Sequence, residues 1–479
     1  PSALPFGECL REALVALLKM LHDRNSRRAF CVEQTWLVEE AVSRMGKGDR
    51  FVSLLTYGAF EVAGQSKLKG VAWEHKKRLQ ALTAHHFLQA MPFSVSFSDR
   101  LRLFNSILKE ERDTFQNDEI APIRVRIKRE HIFNDGFKYM NKLGARLKQR
   151  IYVTFVDQTG HEESGIDAGG LFKDFWTSLS RIAFDMNYGL WALTEDQLMY
   201  PSPESSVLHG NDLEMFEFLG RVLGKAIYEG IVVQPNFTFF FLRKLLGKVN
   251  TLSDLPTLDP ALYKNLIFLK KYEGDIDDLS LAFTIIDSCL GVNTERPLIP
   301  NGANVPVTND NKLKYIYLVA HYRLNVNLQN QCSAFISGMR EVIPVSWLRL
   351  FSENELQSVI SGISNGINID ELQKHTRYAG GYTALSPSVR RLWEVLRAFT
   401  QKEREKFVRY VTSCERAPPL GFSQLHPPFT IQWVEDTNKL PGASTCFNAL
   451  KLPDYRNKDI LRKKLLYVIN LENLGFGLT

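Results

Sequence analysis

The chain has 479 residues, of which 44% are hydrophobic and 23% charged, so it is long enough for two or three folded domains and too apolar for a disordered chain. Its net charge of +6 comes from 59 basic and 53 acidic residues that are mixed along the sequence, which argues against nucleic acid as a partner. No apolar run approaches the roughly 18 residues that a membrane-spanning helix needs, so we expect no membrane partner.

The six cysteines are scattered, and no two have the spacing of zinc ligands, so we expect no metal site. A chain of this length can bury a core without disulfides, and its sparse cysteines favour a reducing compartment. We therefore expect it in the cytoplasm, with the nucleus as a second location. Residues 1–10 lack the pattern of a signal peptide. The chain begins with Pro1 rather than Met, and we expect it to be part of a longer protein.

The first part of the chain is predicted to be helical. Residues 1–90 carry apolar side chains at helical spacing, most clearly at Leu10, Leu14 and Leu17. The basic run at residues 124–129 alternates with apolar residues. We interpret that run as the edge of a strand or helix with one solvated face.

Strands and helices alternate in the segment that follows. Residues 151–156 are β-branched and aromatic, which indicates a strand, and residues 171–179 have the apolar face of a helix. Residues 211–228 form another predicted helix. Its Gly220 and Gly224 are four positions apart, which favours a close approach of a second helix.

Start signals define several later helices. Asp259 followed by Pro predicts a helix start, and Ser352 with Glu355 has the spacing of a capping box. Residues 312–342 are predicted to be helical and apolar on one face, with an end near Pro344. The other predicted elements are strands at 281–286, 429–433 and 447–452, and helices that begin at Ser386, at Thr400 with Glu403 as its capping partner, and at Lys458, the last ending at Leu471.

Two stretches resemble phosphate-binding loops only superficially. Residues 220–225 are one residue short of a P-loop and are followed by Ala226, where Ser or Thr is required. Residues 165–170 lack the three glycines of a dinucleotide loop. We therefore expect no cofactor.

Cys446 has a setting unlike that of the other cysteines. A proline and a glycine precede it and an apolar run follows it, which places the thiol at an accessible junction between loop and strand. A lone cysteine there is more often a packing residue than a nucleophile. No histidine follows Cys446, which excludes the papain order of a cysteine protease, while orders with His before Cys stay open.

The segment around Cys446, LPGASTCFN at residues 440–448, resembles the active-site loop of HECT-type E3 ubiquitin ligases. Further blocks are similar to the family in the same order along the chain. They are residues 153–176, 216–230, 331–344, 376–383 and 411–421, and Gly475-Phe476 near the carboxyl end. Residues 92–123 and Ser444 resemble one subgroup of the family, the proteasome-associated ligases.

The resemblance implies an α+β, bilobal HECT domain. The expected parts are a helical extension at 1–122, a mostly helical N-lobe at 123–361 with a small E2-binding subdomain at about 246–335, a hinge at 362–366, and an α/β C-lobe at 367–479.

The resemblance also implies an E3 ubiquitin transferase whose Cys446 carries ubiquitin as a thioester. Its implied partners are ubiquitin, a ubiquitin-conjugating enzyme (E2) and protein substrates, with the proteasome as a further candidate. Thr445 and Phe447 are expected to support the loop. For Thr445, simple turn filling is an equal alternative. Phe476 is expected to position the ubiquitin-loaded lobe, and Gly362 and Gly366 to give the hinge its freedom.

The resemblance places the E2 on an apolar groove of the small subdomain. From the sequence alone the groove residues cannot be told from core. They are Leu266, Leu269, Tyr315, Leu318 and Val319. Two other functions stay open: a non-catalytic helical scaffold that uses Cys446 only structurally, and a cysteine hydrolase.

Overall fold

The computed structural model describes residues 4–38, 86–116, 120–157, 161–162, 170–289, 291–363, 366–435 and 439–471. Its helices are α1 (Leu4–Arg27), α2 (Phe97–Phe115), α3 (Ile132–Met140), α4 (Gly170–Ala183), α5 (Ser205–Leu208), α6 (Asp212–Glu229), α7 (Phe239–Leu245), α8 (Pro260–Lys271), α9 (Lys312–His321), α10 (Gln329–Val342), α11 (Val345–Leu348), α12 (Glu353–Ser361), α13 (Ile369–Lys374), α14 (Pro387–Arg397), α15 (Gln401–Thr412) and α16 (Lys458–Leu471). Its strands are β1 (Ile123–Lys128), β2 (Ile151–Val156), β3 (Trp191–Leu193), β4 (Met199–Pro201), β5 (Thr284–Cys289), β6 (Val292–Pro297), β7 (Arg377–Ala379), β8 (Thr430–Val434), β9 (Gly442–Ser444) and β10 (Ala449–Pro453).

The chain forms two compact units, each built from several segments. The first unit comprises residues 1–117, 185–224 and 236–356, and the second comprises residues 118–184, 225–235 and 357–479. Helices and small sheets are combined in both, which confirms the α+β fold class. The lobe boundaries expected from the sequence divide the chain differently and stay a prediction.

The first unit contains a close contact between α6 and α10. A Cβ atom on Gly220 would lie 1.9 Å from the carbonyl oxygen of Phe335, and one on Gly338 would lie 1.8 Å from that of Glu217. Only glycine fits at either position, because real Cβ atoms do not approach backbone so closely. The close helix approach predicted from Gly220 is confirmed.

The second unit contains a four-stranded sheet in the order β7-β8-β10-β9. The central pair β8 and β10 is parallel, whereas β9 runs antiparallel to β10 at the edge. Side chains such as Ile431, Leu450 and Leu452 are fully buried in a core to which α14, α15 and α16 contribute. This core supports β9 and β10, the two strands on either side of Cys446.

The predicted helix starts are confirmed where short polar residues cap them. The side chain of Asp259 caps α8, and Thr400 forms a reciprocal capping box with Glu403. Ser352 and Glu355 make the corresponding pair of hydrogen bonds at α12. Local spacing was sufficient in these cases, because a cap needs only residues three positions apart.

The stretch predicted to be helical, residues 312–342, is helical except for a short break. Helices α9 and α10 are separated by a wider, π-type turn at residues 322–326. Asn325 lies in this turn, donates to the carbonyl of Asn250 at 3.1 Å and accepts from Nζ of Lys244 at 3.1 Å. The side chain of Asn325 thus bonds to Asn250 and Lys244 from the point where the regular helical hydrogen-bond pattern is interrupted.

Two predicted strands begin later than expected. The strand predicted at 447–452 begins at Ala449, and the one predicted at 281–286 begins at Thr284. In the first case Asn448 has a left-handed conformation, with φ 48° and ψ 46°, which a strand cannot include.

Other outcomes concern the chain's first ninety residues and the membrane. Helix α1 confirms part of the helical prediction for residues 1–90, of which residues 39–85 are outside the described part. Within the described helices, none combines the length and the apolar character that crossing a bilayer would require.

Candidate active site

Cys446 lies in a tight turn at the edge of the sheet of the second unit. The segment Thr445–Phe447 forms one 3₁₀ turn between β9 and β10, and Ser444 pairs with Ala449 across it. The predicted loop-to-strand junction is therefore present in the backbone. The side chain of Cys446 is outside the described part of the structure.

Asn448 fixes the end of this turn. Its side chain is fully buried, and its amide nitrogen donates to the carbonyl of Pro427 at 2.5 Å. Its own carbonyl accepts from the backbone N–H of Thr430 at 3.0 Å, and its N–H donates to the carbonyl of Thr445. Asparagine is among the few residues that tolerate a positive φ. The sequence pattern alone did not identify Asn448 as a site residue, although an Asn at the end of a short loop is typical of a turn position with positive φ.

Two helices of the second unit lie against the turn. Helix α4 precedes all four strands of the sheet in the sequence, and α15 lies between β7 and β8. Nζ of Lys173, on α4, donates to Oδ1 of Asn448 at 2.6 Å. The hydroxyl of Tyr410, on α15, donates to the carbonyl of Pro441 at 2.7 Å, just before β9. Both ends of the segment that carries Cys446 are thus held by side chains from other elements. Sequence analysis missed Lys173 and Tyr410.

The two residues expected to support the loop, Thr445 and Phe447, differ in their exposure to solvent. Thr445 is half-buried, whereas Phe447 is 46% exposed, so it contributes little to the core. Their support role stays a prediction. Phe476 lies in residues 472–479, outside the described residues.

Two other cysteines have thiols that burial keeps protonated. Burial raises the pKa of Cys332 to about 12, and it also raises the pKa of Cys414. Because the thiolate is the nucleophile, both are poor candidates at neutral pH. No group of three or more His, Cys, Asp or Glu that could hold a metal ion occurs among the residues whose placement is described.

The model of the HECT-domain (ubiquitin-transferase) family matches residues 177–479, which include Cys446 and its turn. The chain belongs to this family.

Curated ubiquitin-protein ligases are similar over most of this chain. E3 ubiquitin-protein ligase UPL6 of Arabidopsis thaliana is 43% identical, over 84% of this chain and 40% of its own length. Ubiquitin-protein ligase E3B of Homo sapiens is 37% identical, over 99% and 45%. E3 ubiquitin-protein ligase HUL5 of Saccharomyces cerevisiae is 37% identical, over 82% and 46%. The chain spans less than half the length of these relatives.

Three of the residues expected in the E2 groove are buried in this structure. Leu266, Leu269 and Val319 are no more than 5% exposed, and their contact with an E2 stays a prediction. Tyr315 and Leu318 are half-buried.

Other side chains on the same two helices are the accessible apolar ones. Phe268 on α8 is 61% exposed, and Leu313 and Tyr317 on α9 are each 60% exposed. Helices α8 and α9 pack together in the first unit. The residues that the family resemblance indicates lie on other faces of these helices, and periodicity alone does not say which face is inside, because both faces are apolar.

The two hinge glycines both have the left-handed conformation that favours glycine, with φ 78° at Gly362 and 88° at Gly366. A Cβ atom on Gly362 would lie 2.6 Å from the carbonyl oxygen of Ala417. The N–H of Ile363 donates to that same oxygen at 2.9 Å. Residues 364–365 are outside the described part. The contact with Ala417 therefore requires glycine at position 362, the start of the hinge. The mobility of the hinge stays a prediction.

Proposed function

We propose that this chain is the catalytic portion of an E3 ubiquitin ligase, which accepts ubiquitin from an E2 as a thioester on Cys446 and transfers it to substrate lysines. The observation that carries the proposal is the HECT family match over residues 177–479, in which Cys446 occupies a turn held at both ends. The burial that raises the pKa of Cys332 and of Cys414 leaves both of these thiols unsuited to the role.

The reaction consists of two acyl transfers. The thiolate of Cys446 attacks the carbonyl carbon of the E2–ubiquitin thioester, a new S–C bond forms, and the E2 thiolate leaves. A neutral substrate amine then attacks the new thioester, the bond to Cys446 breaks, and the amine loses a proton as the isopeptide forms. Neither step is a redox reaction. A thiolate aligned with the thioester carbonyl is sufficient for the first step, so we propose no cofactor.

A free cysteine has a pKa near 8.5, so about a few per cent is thiolate at neutral pH. The intrinsic reactivity of sulfur makes that fraction sufficient once the two thioester partners are aligned. The main contribution of the protein is therefore the fixed turn at Thr445–Phe447. We propose that Thr445 and Phe447 shape it, and that Phe476 positions the loaded lobe.

We propose that an E2 contacts the exposed apolar side chains of helices α8 and α9, which are Phe268 on α8 and Leu313 and Tyr317 on α9, together with the half-buried Tyr315 and Leu318 on α9. Exposed aromatic side chains are the residue type that most often anchors such interfaces. Leu266, Leu269 and Val319 are buried residues of the same two helices.

We further propose that residues 362–366 act as the hinge, because one lobe must meet first the E2 and later the substrate. Replacing this segment with a proline-rich one should slow ubiquitin transfer while the fold is kept. Unchanged transfer rates would count against the hinge.

Further partners and the location rest on resemblance and composition. Protein substrates follow from the reaction, and the proteasome follows from the resemblance of residues 92–123 to the proteasome-associated subgroup. The cytoplasm, with the nucleus as a second location, follows from the sparse cysteines. Co-purification of proteasome subunits with the tagged chain, and microscopy of the full-length protein, test these two points.

A gel assay tests the proposed activity. The chain is incubated with activating enzyme, E2, ubiquitin and ATP, and the products are separated with and without reductant. A reductant-sensitive ubiquitin adduct that disappears in Cys446→Ala supports the ligase. Absence of any adduct favours a scaffold, and cleavage of ubiquitin chains without ATP favours a hydrolase.

A further inference from the structure

Lys173 and Asn448 are 275 positions apart in the sequence and are joined in the second unit by a hydrogen bond of 2.6 Å. Lys173 is half-buried on α4, and Asn448 is fully buried at the end of the turn that carries Cys446. The contact therefore links α4 to Asn448, which lies two positions after the candidate nucleophile Cys446.

The amide of Asn448 is held from two sides. Its nitrogen donates to Pro427, and its oxygen accepts from the ammonium of Lys173. A hydrogen bond from a charged donor is stronger than one between neutral groups, and a buried acceptor that loses its donor is costly. The side chain can satisfy both partners in only one orientation, since its oxygen and nitrogen are not interchangeable here.

We propose that Lys173 is a positioning residue for the turn at Thr445–Phe447, a role that rests on the proposed function. While Cys446 is being loaded, Lys173 holds the backbone of Cys446, through Asn448, at a fixed place relative to α4, and this contact would break when residues 362–366 later turn the C-lobe toward the substrate. During loading the thiol is thus presented to the incoming thioester without a search among loop conformations. A displacement of about 1 Å at a reacting atom can cost as much as a hundredfold in rate.

Three variants of α4 test this role. Lys173→Met keeps most of the side-chain length but removes the donor, Lys173→Arg keeps a charged donor, and Arg181→Met removes a charge from an exposed position on the same helix as a control. The readout is the single-turnover rate at which preloaded E2–ubiquitin forms the reductant-sensitive adduct, measured over a range of E2 concentrations.

The expected result is a split between rate and affinity. Lys173→Met should lower the maximal rate about tenfold, because alignment is lost. The E2 concentration at half-maximal rate should stay unchanged, since the side chains proposed to contact the E2 lie in the other unit. Lys173→Arg should recover most of the rate, and Arg181→Met should equal the wild type.

A double-mutant cycle separates positioning from general support. Asn448→Gly keeps the left-handed backbone conformation but removes the amide, so it should slow loading as Lys173→Met does. Asn448→Gly also removes the hydrogen bond to Pro427, so the double variant should be no slower than Asn448→Gly alone, because the contact with Lys173 is already lost there.

Three results would overturn the role of Lys173. They are wild-type loading in Lys173→Met, a rate for Lys173→Arg as low as that for Lys173→Met, and additive slowing in the double variant. Should Lys173→Met fail to fold, the comparison of Lys173→Arg with Asn448→Gly decides, since the proposal requires the first to load faster. If the wild type itself forms no adduct, the reaction is absent and both proposals fall. If it loads and Lys173→Met loads equally fast, only the positioning role falls.

Discussion

The guanidinium of Arg100 binds both carboxylate oxygens of Glu355, 255 positions further along the chain, at 2.8 and 2.6 Å. The Arg100 side chain is 4% exposed and that of Glu355 14% exposed, so the pair lies within the first unit rather than on its surface. Glu355 also accepts from the N–H of Ser352 at the start of α12. One carboxylate thus caps a helix and ties it to α2.

This pair makes stability depend on pH. Burial alone would raise the pKa of Glu355, but the hydrogen bonds and charge of Arg100 outweigh it, and the net pKa lies below its usual value. A lowered pKa in the folded state gives stability that is present above the ordinary glutamate pKa, about 4.3, and is lost as pH falls through the folded value.

The melting temperature of the wild type should therefore fall as the pH is lowered from 6 to 3, and Glu355→Gln should show a shallower fall. Glu162→Gln, which removes an exposed ion pair with Arg126, is the control and should follow the wild type. Parallel curves for the wild type and Glu355→Gln would contradict the assignment.

Gly220→Ala should destabilise the first unit by about 3 kcal/mol, because its Cβ atom would meet backbone and not a flexible side chain. The clash is with the carbonyl oxygen of Phe335, at 1.9 Å. Gly210→Ala is the matched control, since a Cβ atom there would meet no described atom within 4 Å. The two variants are compared by urea unfolding, and equal midpoints would show that α6 and α10 do not pack as described.

Tyr410→Phe should loosen the start of the turn that carries Cys446. Removing the hydroxyl that donates to Pro441 should cost about 1 kcal/mol and slow adduct formation. Tyr467→Phe, at a side chain that is 57% exposed, provides the control and should leave both unchanged. Stability and loading rate are measured on the same preparations. Ubiquitin loading at the wild-type rate in Tyr410→Phe would show that the Tyr410 hydroxyl does not help to position the turn.

Phe268→Ala and Tyr317→Ala should each raise the E2 concentration at half-maximal loading about tenfold, as expected for exposed aromatic anchors. Discharge of the preloaded adduct to free lysine should not change, because that step needs no E2. Val207→Ala, a substitution at another exposed apolar residue of the first unit, should have no effect. If the E2 concentration at half-maximal loading is unaltered in Phe268→Ala and Tyr317→Ala, the E2 does not bind through these two side chains.

The local features of the fold could be predicted from the sequence. Asp259 and Thr400 identify helix starts, because a cap is decided by residues within one turn. Gly220 predicted close packing, because few other features require glycine inside a helix. The family followed from the order of the blocks that resemble it, and the turn around Cys446 followed from the proline and glycine that precede it.

The long-range features could not be predicted in this way. The contact of Lys173 with Asn448 joins residues 275 positions apart, and nothing in either local segment indicates the other. On α8 the family resemblance indicated Leu266 as a contact residue, and in the structure Leu266 is buried while Phe268 is exposed. Apolar residues on both faces of a short helix leave its inner face undecided until its neighbours are known.

The measurement that bears most directly on the central claim is the location of ubiquitin on the chain after one turnover. Wild type, Cys446→Ala and Cys446→Ser are each mixed with preloaded E2–ubiquitin, quenched in acid and mapped by mass spectrometry. We predict ubiquitin on Cys446 in the wild type, lost on reduction, none in Cys446→Ala, and an ester in Cys446→Ser that survives reductant and is cleaved by mild alkali. A reductant-sensitive adduct that forms undiminished in Cys446→Ala would contradict the account.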